Sequence, residues 1–294
     1  MTKRRIAMAG AGSHCVWLWE ASGSACLCRG HALNRRKMMN RICTILITGA
    51  GSGLGRGLSL HFAAGGHRII AADLKVETVK KTISLMGAAA TTSHAHELDV
   101  ASESSRQAFF QAIADEQVDV LVNNAGIQHV ARLEEFPQPK WEQLVDVILN
   151  GPAAMTRAVL PGMRQRGHGR IVNIGSASSL VASAYKSAYV AAKHGLLGFS
   201  KTIALETGDV DITINTICPS YIRTPLVEAQ LASQAKVHKM SEEEVIQRIM
   251  LEPMPKKVFI TYAEIAGAIE FLMSPAARNV TGTTISIDGG WTAR

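Results

Sequence analysis

Aromatic side chains, cysteines and long apolar runs are all scarce in this sequence, and each shortage excludes a class of protein. No hydrophobic stretch approaches the roughly 18 residues of a membrane-spanning helix, which excludes a transmembrane protein. Five cysteines without a regular spacing exclude a disulfide scaffold and favour a reducing, cytoplasmic compartment. Only 5% of the residues are aromatic, but 47% are hydrophobic and 19% charged, which excludes a disordered chain.

The positive charge is concentrated at the amino terminus. The formal net charge is +7, and the first 37 residues hold most of it, with Glu20 as their single acid. The rest of the chain is nearly neutral and lacks interleaved aromatic and basic residues, so we expect no nucleic-acid partner. Residues 1–37 are compatible with a secretory signal, a transit peptide or an extension before Met38 or Met39. Their composition favours a disordered basic extension.

Short apolar runs alternate with helical segments from Arg41 onward. Runs at 42–48, 68–72, 118–122, 170–174, 212–217 and 283–287 have the character of buried strands. The alternation predicts one α/β domain over 38–294, a Rossmann-type, doubly wound parallel sheet with helices on both faces. A long helix is predicted over 140–164. Between residues 224 and 263 the alternation of strands and helices is replaced by polar helical segments, which predicts a helical substrate lid.

A glycine-rich turn joins the first predicted strand to the first predicted helix. Gly49, Gly53 and Gly55 follow Thr48 with the spacing Gly-x3-Gly-x-Gly. Glycines there allow a tight turn and close approach to a pyrophosphate, and the helix N-terminus offers free N–H groups to the anion. The turn therefore predicts a dinucleotide cofactor. A similar string at 10–13 lacks the later glycines and follows no strand, so it carries no such prediction.

Two acidic residues follow predicted strands on the cofactor side. Asp73 ends the second strand, where a carboxylate accepts hydrogen bonds from a ribose 2′-hydroxyl and repels a 2′-phosphate. This position predicts NAD rather than NADP. Asp73 is also a good cap for the next helix, and the two roles are compatible. Asp99 follows the third predicted strand, over 92–98, and is a weaker candidate for the adenine edge.

Tyr189 and Lys193 lie four residues apart on one predicted helix and so share a face. A free tyrosine has a pKa near 10, and a neighbouring ammonium together with a positively charged nicotinamide would favour the phenolate and lower that pKa. Tyr189 could then exchange a proton with a substrate oxygen while hydride moves to or from a nicotinamide. Ser176 follows a predicted strand, and its hydroxyl could hold the reacting oxygen. A Tyr-x3-Lys pair alone is common, so this spacing needs its wider context.

The motifs together resemble the short-chain dehydrogenase/reductase family over residues 41–294. They are, in order, the turn from Thr48, Asn123–Gly126, Asn150, Ser176, Tyr189-x3-Lys193 and Pro219. The resemblance implies that Tyr189 is the general acid/base and that Lys193 lowers its pKa and binds the nicotinamide ribose. It also implies that Ser176 orients the reacting oxygen, that Asn150 holds a proton-relay water, and that the enzyme is a homotetramer. The cofactor contacts it implies are Thr48, Gly49, Ser52, Gly53, Leu54, Gly55, Asp73, Asp99, Val100, Asn124, Ala125, Gly126, Tyr189, Lys193, Pro219, Ile222 and Thr224.

Within that family, segments at 127–129, 180–189, 225–230 and 288–293 are similar to bacterial D-3-hydroxybutyrate dehydrogenases. That group grips a small carboxylate with Gln, Lys, Gln and His side chains. Gln128, Lys186 and Gln230 stand at three of those positions, while Ser178 replaces the histidine and Tyr221 stands where tryptophan is usual. The substrate contacts that the resemblance implies are Gln128, Ser176, Ser178, Lys186, Tyr189, Tyr221 and Gln230.

The sequence thus predicts NAD-dependent, reversible oxidation of D-3-hydroxybutyrate to acetoacetate. Ser178 and Tyr221 keep open a dehydrogenase for another small hydroxy acid or a ketone. Reduction of 3-oxoacyl groups on a carrier protein is disfavoured by Asp73, and a non-catalytic NAD sensor is disfavoured by the intact Ser176, Tyr189 and Lys193. The histidines and cysteines have no metal-ligand spacing, so we expect no metal site. The expected partners are a small carboxylate substrate and further copies of this chain.

Overall fold

One parallel sheet forms the centre of the molecule in the computed structural model, which describes residues 42–293. The amino-terminal extension considered above lies outside the described residues. Within 42–293 the sheet has seven strands in the order β3-β2-β1-β4-β5-β6-β7, all parallel. The strands are β1 Thr44–Thr48, β2 Arg68–Asp73, β3 His94–Glu97, β4 Val120–Asn123, β5 His168–Ile174, β6 Asp211–Pro219 and β7 Thr284–Ile287. The predicted Rossmann-type fold class is confirmed.

Helices connect the strands and cover both faces of the sheet. In the described range these α-helices are α1 Gly53–Ala64, α2 Val76–Ser84, α3 Glu103–Ala112, α4 Gln138–Val145, α5 Gly151–Arg166, α6 Ser187–Glu206, α7 Pro225–Glu228, α8 Leu231–His238, α9 Glu242–Glu244 and α10 Tyr262–Met273. Thr261 caps α10 through a reciprocal pair of bonds with Glu264, which satisfies N–H groups that a helix start leaves free. None of the described helices is long and apolar enough to cross a membrane.

The core explains why β1 is apolar at successive positions. Successive residues of a strand point to opposite faces, so Ile45 and Ile47 of β1 pack in one cluster with Phe62, while Leu46 packs in the other with Met155. All three β1 side chains are fully buried. A strand covered on both faces therefore favours apolar residues at successive positions rather than at alternate ones.

The predicted long helix over 140–164 is interrupted in the structure. α4 ends at Val145, a π-helical segment follows over Asp146–Asn150, and α5 begins at Gly151. A π turn inserts extra residues into the helical path, so side chains after it face a different direction from the one a regular helix predicts.

The strand order reverses between β1 and β4, and this reversal opens a crevice at the carboxyl ends of the strands. The lid predicted between 224 and 263 consists of α7, α8, α9 and a π-helical segment over Val245–Leu251. Its apolar residues form a separate small core around Tyr221, Val245 and Met250, with Trp291 packed against it. The crevice and the lid place every candidate residue on one edge of the sheet.

Candidate active site

Thr48 fixes the glycine-rich turn to the end of β4. Its hydroxyl oxygen accepts hydrogen bonds from the backbone N–H groups of Asn124 and Ala125, each at 3.0 Å. The Asn124 side-chain amide donates in return to the carbonyl oxygens of Thr48, at 2.8 Å, and of Gly49, at 3.2 Å. The two segments that the sequence assigned to the cofactor are therefore joined into one rigid edge.

Two glycines in this turn are required by close contacts. Gly49 has a φ of +67°, and a Cβ there would lie 2.9 Å from the Ala125 Cα atom. A Cβ at Gly55 would lie 2.1 Å from the carbonyl oxygen of Gly49. Ser52 stands at the N-cap of α1 but makes no side-chain capping bond, so it leaves the first N–H groups of the helix to another acceptor. An anion such as a pyrophosphate suits that position.

Asp73 lies at the end of β2 and faces the same turn. Its carboxylate accepts hydrogen bonds from the backbone N–H of Gly51 at 3.0 Å and from that of Lys75 at 3.2 Å. The N-cap of α2 is Lys75 and has no side-chain capping bond, so the capping role expected for Asp73 is wrong. The Asp73 carboxylate instead links the glycine-rich turn to the segment before α2 and borders the groove. A fixed negative charge here suits a free ribose hydroxyl better than a phosphate.

A groove of about 570 Å³ runs along this edge of the sheet. The predicted cofactor residues among those that line it are Gly49, Ser52, Asp73, Asp99, Val100, Asn124, Ala125 and Gly126. A close-approach turn, an uncapped helix start and an acidic strand end are the features that a nicotinamide dinucleotide needs, so the residues present fit that cofactor. Thr48 and Gly55 support the turn from within, and Thr224 packs 3.4 Å from the Cβ position of Gly53.

Ser176 begins a short turn between β5 and α6. Its hydroxyl accepts from the Ser178 backbone N–H at 3.1 Å, and the Ser179 hydroxyl accepts from the Ser176 N–H at 3.1 Å. This reciprocal pair caps the turn Ala177–Ser179 and fixes the direction of the Ser176 side chain. Ser176 also hydrogen bonds the Tyr189 phenol. The Ser176 and Tyr189 side chains also line one cavity.

Lys193 lies beside Tyr189 on α6, as the four-residue spacing predicted. Its ammonium is 5.6 Å from the centroid of the Tyr189 ring and donates to the carbonyl oxygen of Ile174 at 2.5 Å. Lys193 is buried, and this desolvation lowers its pKa to about 8. The side chain is therefore held between the end of β5 and the phenol, where it can also reach the groove.

Protein groups alone do not lower the Tyr189 pKa, and the predicted lowering also needs the charge of the nicotinamide. Burial raises the pKa of Tyr189 to about 12, and the hydrogen bond from Ser176 acts in the opposite direction without overcoming it. The Lys193 ammonium donates to the Ile174 carbonyl oxygen. In this structure Tyr189 is accordingly an acid that holds its proton, and activation as a base needs a further positive charge nearby.

All seven predicted substrate residues line one small cavity next to Tyr189. The cavity measures about 70 Å³, and Leu226 lines both it and the cofactor groove. The seven residues are Gln128, Ser176, Ser178, Lys186, Tyr189, Tyr221 and Gln230. The structure thus brings together side chains separated by about a hundred positions in the sequence, and it places them beside the reacting groups.

Lys186 is a buried cation at the wall of this cavity. Its ammonium donates to the Tyr221 hydroxyl at 3.2 Å and lies 5.1 Å from the centroid of that ring. Desolvation lowers the pKa of Lys186 to about 8. No carboxylate among the described residues forms an ion pair with it. A buried cation without a protein counter-ion suits an anionic ligand.

The other polar groups of the cavity offer hydrogen bonds. Gln230 is buried, its amide nitrogen donates to the Leu226 carbonyl at 2.8 Å, and its side-chain oxygen has no partner. The Gln128 side-chain oxygen accepts from the His129 backbone N–H at 2.9 Å, which leaves its amide N–H groups for a ligand. The Ser178 hydroxyl lies 3.3 Å from that of Ser183. Ser178 is thus anchored within the cavity wall.

Asn150 is a wrong prediction. It is exposed, its amide donates to the Asp146 carboxylate at 2.7 Å, and it is not among the residues that line the cavity. Ile148, two residues earlier, is 1% exposed and packs in the cluster that contains Tyr189. Asn150 lies two residues from Ile148 and so faces away from the buried side of the helix, and a proton-relay water held by the Asn150 side chain is not supported.

Trp291 is a cavity residue that sequence reasoning missed. Its ring stacks on Tyr221 with centroids 5.8 Å apart and an interplanar angle of 15°. The signal was present in the segment 288–293, which carries part of the resemblance described above, although no role was assigned to the tryptophan. The remaining cavity residues without a prior assignment are Ser220, Leu226 and Val227. Two stacked aromatic rings give the cavity an apolar wall opposite its polar groups.

Comparisons with known proteins agree with this geometry. The family model for short chain dehydrogenases matches residues 43–235. A D-beta-hydroxybutyrate dehydrogenase of Rhizobium meliloti (strain 1021) is 41% identical over 257 residues, which span 85% of this chain and 99% of the relative. A protein of the same name from Cupriavidus necator is 40% identical, over 85% of this chain and 98% of the relative.

Solved structures show the same architecture. An actinorhodin polyketide ketoreductase determined with NADPH superposes with a TM-score of 0.81 at 29% identity, over 87% of this chain and 99% of that one. The fold, the ordered motifs and the Ser176, Tyr189 and Lys193 geometry define an oxidoreductase of the nicotinamide-dependent kind. The chain belongs to the short-chain dehydrogenase/reductase family. Its resemblance to hydroxybutyrate dehydrogenases, stated from the sequence, is confirmed by the two relatives.

Proposed function

We propose that this enzyme oxidises D-3-hydroxybutyrate to acetoacetate, reversibly, with NAD as the cofactor. The observation that carries the proposal is the shared cavity, in which Lys186, Gln128 and Gln230 lie with Ser176 and Tyr189. A cation and amide groups suit a carboxylate, and the serine and tyrosine hydroxyls suit a reacting oxygen two carbons away. The two D-beta-hydroxybutyrate dehydrogenases at about 40% identity support the same substrate.

Substrate binding would satisfy groups that the protein leaves exposed to the cavity. The carboxylate would accept hydrogen bonds from the Lys186 ammonium and the Gln128 amide. Lys186 has no described acidic partner, so a bound carboxylate would raise its lowered pKa and keep it charged. The stacked Tyr221 and Trp291 rings would contact the apolar end of the substrate. These contacts together would select which face of the hydroxyl-bearing carbon meets the groove.

The proton is moved by Tyr189 and Ser176. A bound oxidised nicotinamide would supply the hydride acceptor and a positive charge near the phenol. The Tyr189 oxygen, once ionised, would take the hydroxyl proton of the substrate, and the Ser176 hydroxyl would hold the oxygen in place. In the reverse direction the phenol, whose pKa burial raises to about 12, is already protonated and would donate to the carbonyl oxygen. Lys193 would bind the cofactor ribose from its buried position on α6.

The choice of NAD rests on Asp73. Its carboxylate borders the groove and is fixed by two backbone N–H groups, so it cannot turn away from a 2′-phosphate without losing both bonds. The related ketoreductase was determined with NADPH, which makes cofactor choice the point on which the two proteins would differ. The cytoplasmic location and the homotetramer stay predictions that follow from the family resemblance.

One observation favours a second candidate, a dehydrogenase for another small hydroxy acid. Ser178 and Tyr221 are smaller or more polar than the histidine and tryptophan of the hydroxybutyrate group, and Tyr221 is bonded to Lys186. The cavity of about 70 Å³ argues against a carrier-bound acyl chain. Ser176, Tyr189 and Lys193 in contact argue against a non-catalytic sensor.

The test is NADH formation from D-3-hydroxybutyrate, measured beside the L-enantiomer and beside NADP. We expect turnover that is selective for the D-enantiomer and for NAD. Tyr189→Phe should lower this turnover by at least about a hundredfold, since general acid/base groups contribute roughly 10²–10⁴-fold. Tyr185→Phe removes the same hydroxyl group from the loop before α6 and is the matched control. Activity on other hydroxy acids alone would support the second candidate, and no activity on any alcohol would contradict both.

A further inference from the structure

A second cavity lies behind the wall of the first. It measures about 210 Å³ and shares Lys186, Tyr221 and Trp291 with the cavity beside Tyr189. Its other sides are the loop at 182–184, the helix α8 and the π-helical segment Val245–Leu251, with Pro253 beyond it. The proposed reaction uses only the first cavity. The second cavity is therefore part of the lid and has no role in the proposed reaction.

Apart from the Tyr221 phenol, the titratable side chains in the lining of this second cavity are basic. They are Lys186, His238 and Arg248, and no carboxylate is among the described residues that line it. Arg248 is largely exposed, and its guanidinium lies 3.6 Å from the Glu244 carboxylate, which leaves other N–H groups of its fork available. Burial, and after it the neighbouring Lys186 charge, lowers the pKa of His238. Bases placed this close together favour a ligand of opposite charge.

Gln234 supplies an independent observation. The side chain is 1% exposed and lines the cavity, yet its amide nitrogen has no hydrogen-bond partner. A buried N–H donor left without an acceptor is unfavourable, so such groups in folded proteins usually face a ligand or a water. An acceptor in the cavity would bond to this nitrogen and to the Lys186 ammonium. The unpartnered N–H donor and the positive charges thus both favour a ligand that is an anionic hydrogen-bond acceptor.

We propose that this second cavity is an oxyanion-binding site in which Gln234, Lys186 and Arg248 hold a carboxylate or a phosphate group. His238 adds a donor on the α8 side of the cavity. The oxyanion has two sources, a free small anion or a second carboxylate on the substrate itself. Only the second source rests on the proposed function, because a free anion would bind whether or not D-3-hydroxybutyrate is the substrate.

The first test measures inorganic phosphate binding by the change in tryptophan fluorescence, since Trp291 lines the cavity. NAD is kept saturating so that the glycine-rich turn is occupied. We expect Gln234→Leu and Arg248→Gln each to weaken phosphate binding at least fivefold, with Lys236→Gln, an exposed position on α8, as the matched control. Gln234→Leu removes an unsatisfied polar group at similar volume, so the variant should keep its thermal stability.

The second test compares turnover of 3-hydroxyglutarate, in which a carboxymethyl group replaces the methyl group of 3-hydroxybutyrate. A selective loss of kcat/KM for the diacid in Gln234→Leu and Arg248→Gln identifies the substrate as the source of the oxyanion. Phosphate binding that weakens without such a loss identifies a free anion. If the three variants and the wild type bind phosphate equally and show the same ratio of kcat/KM for the two acids, the site does not exist. A failure of D-3-hydroxybutyrate turnover leaves the phosphate result intact.

Discussion

Individual side chains in this enzyme serve two elements at once. Thr48 joins the glycine-rich turn to β4. Asp73 accepts from the Gly51 and Lys75 N–H groups and borders the cofactor groove, and Lys186 separates two cavities while bonding to Tyr221. Their dual contacts mean that a substitution at one position changes binding and local geometry together. Conservative variants that retain one of the two roles are therefore the informative ones.

At the scale of single residues, Asp73 is the side chain on which the proposed preference for NAD over NADP rests. Asp73→Asn keeps a side-chain oxygen for the Gly51 or Lys75 N–H but removes the negative charge that would repel a 2′-phosphate. We expect the ratio of kcat/KM for NAD over NADP to fall by at least about tenfold, which corresponds to roughly 1.4 kcal/mol. Steady-state kinetics with both cofactors measure this ratio. Asp99→Asn makes the same charge change elsewhere in the groove, and an equal fall in both variants would refute the assignment.

The secondary-structure elements position these residues through a small number of polar contacts at strand ends. The turn after β1 is held to the end of β4 by four hydrogen bonds that involve Thr48 or the Asn124 amide. The turn after β5 is held by the reciprocal bonds of Ser176 and Ser179. Both turns lie at the carboxyl edge of the sheet, where neighbouring strands present cofactor and reacting groups to one crevice.

Thr48→Val tests the first of these turns. Valine preserves the shape of the side chain but removes the oxygen that two backbone N–H groups use, so both donors lose their partner. We expect the free energy of unfolding to fall by about 1–3 kcal/mol and the KM for the cofactor to rise several-fold. Urea denaturation and cofactor titrations measure the two effects. Thr44→Val, at the other end of β1, is the control and should change the cofactor KM little; equal effects at both threonines would argue against the Thr48 bonds.

Sequence periodicity predicted the elements well because the strands are buried on both faces and the helices are long. The strands at the centre of the sheet were located within about two residues. The interruption of the helix at Asp146–Asn150 was not predicted, because hydrophobic spacing does not distinguish an α turn from a π turn over five residues. The wrong assignment of Asn150 has a different origin, because it was carried over from the family resemblance.

At the scale of the whole molecule, tertiary packing brings the substrate residues together, which sequence spacing alone does not predict. The substrate residues were located through resemblance, and each alone would have been read as a surface or structural side chain. The fold places Gln128, Lys186 and Gln230 around one cavity because β4, α6 and the lid meet at the same edge of the sheet. The sequence predicted a Tyr189 pKa lowered by Lys193 and the nicotinamide together, whereas burial, a property of the packed molecule, raises it. Trp291 joins the cavity for the same reason, since the carboxyl-terminal segment packs under the lid.

The central claim is that a buried cation grips a substrate carboxylate beside Tyr189. The most direct test compares D-3-hydroxybutyrate with 2-butanol, which lacks the carboxylate, in the wild type and in Lys186→Met. Loss of a charged hydrogen bond to a bound anion costs about 2–3 kcal/mol, so kcat/KM for the acid should fall at least about thirtyfold. The kinetics with 2-butanol should stay within about twofold, and Lys201→Met, an exposed position on α6, should change neither.

The pH dependence of the same kinetics gives a further prediction, because the Lys186 pKa sets the direction in which the KM changes. Burial lowers the pKa of Lys186 to about 8, so the ammonium is present below that pH and is lost as the pH rises through it. The KM for D-3-hydroxybutyrate in the wild type should therefore rise above pH 8, while the KM for 2-butanol should show no such rise. This pattern, absent in Lys186→Met, is the result that the account predicts. An equal loss of activity on both alcohols, or no loss on either, would contradict it.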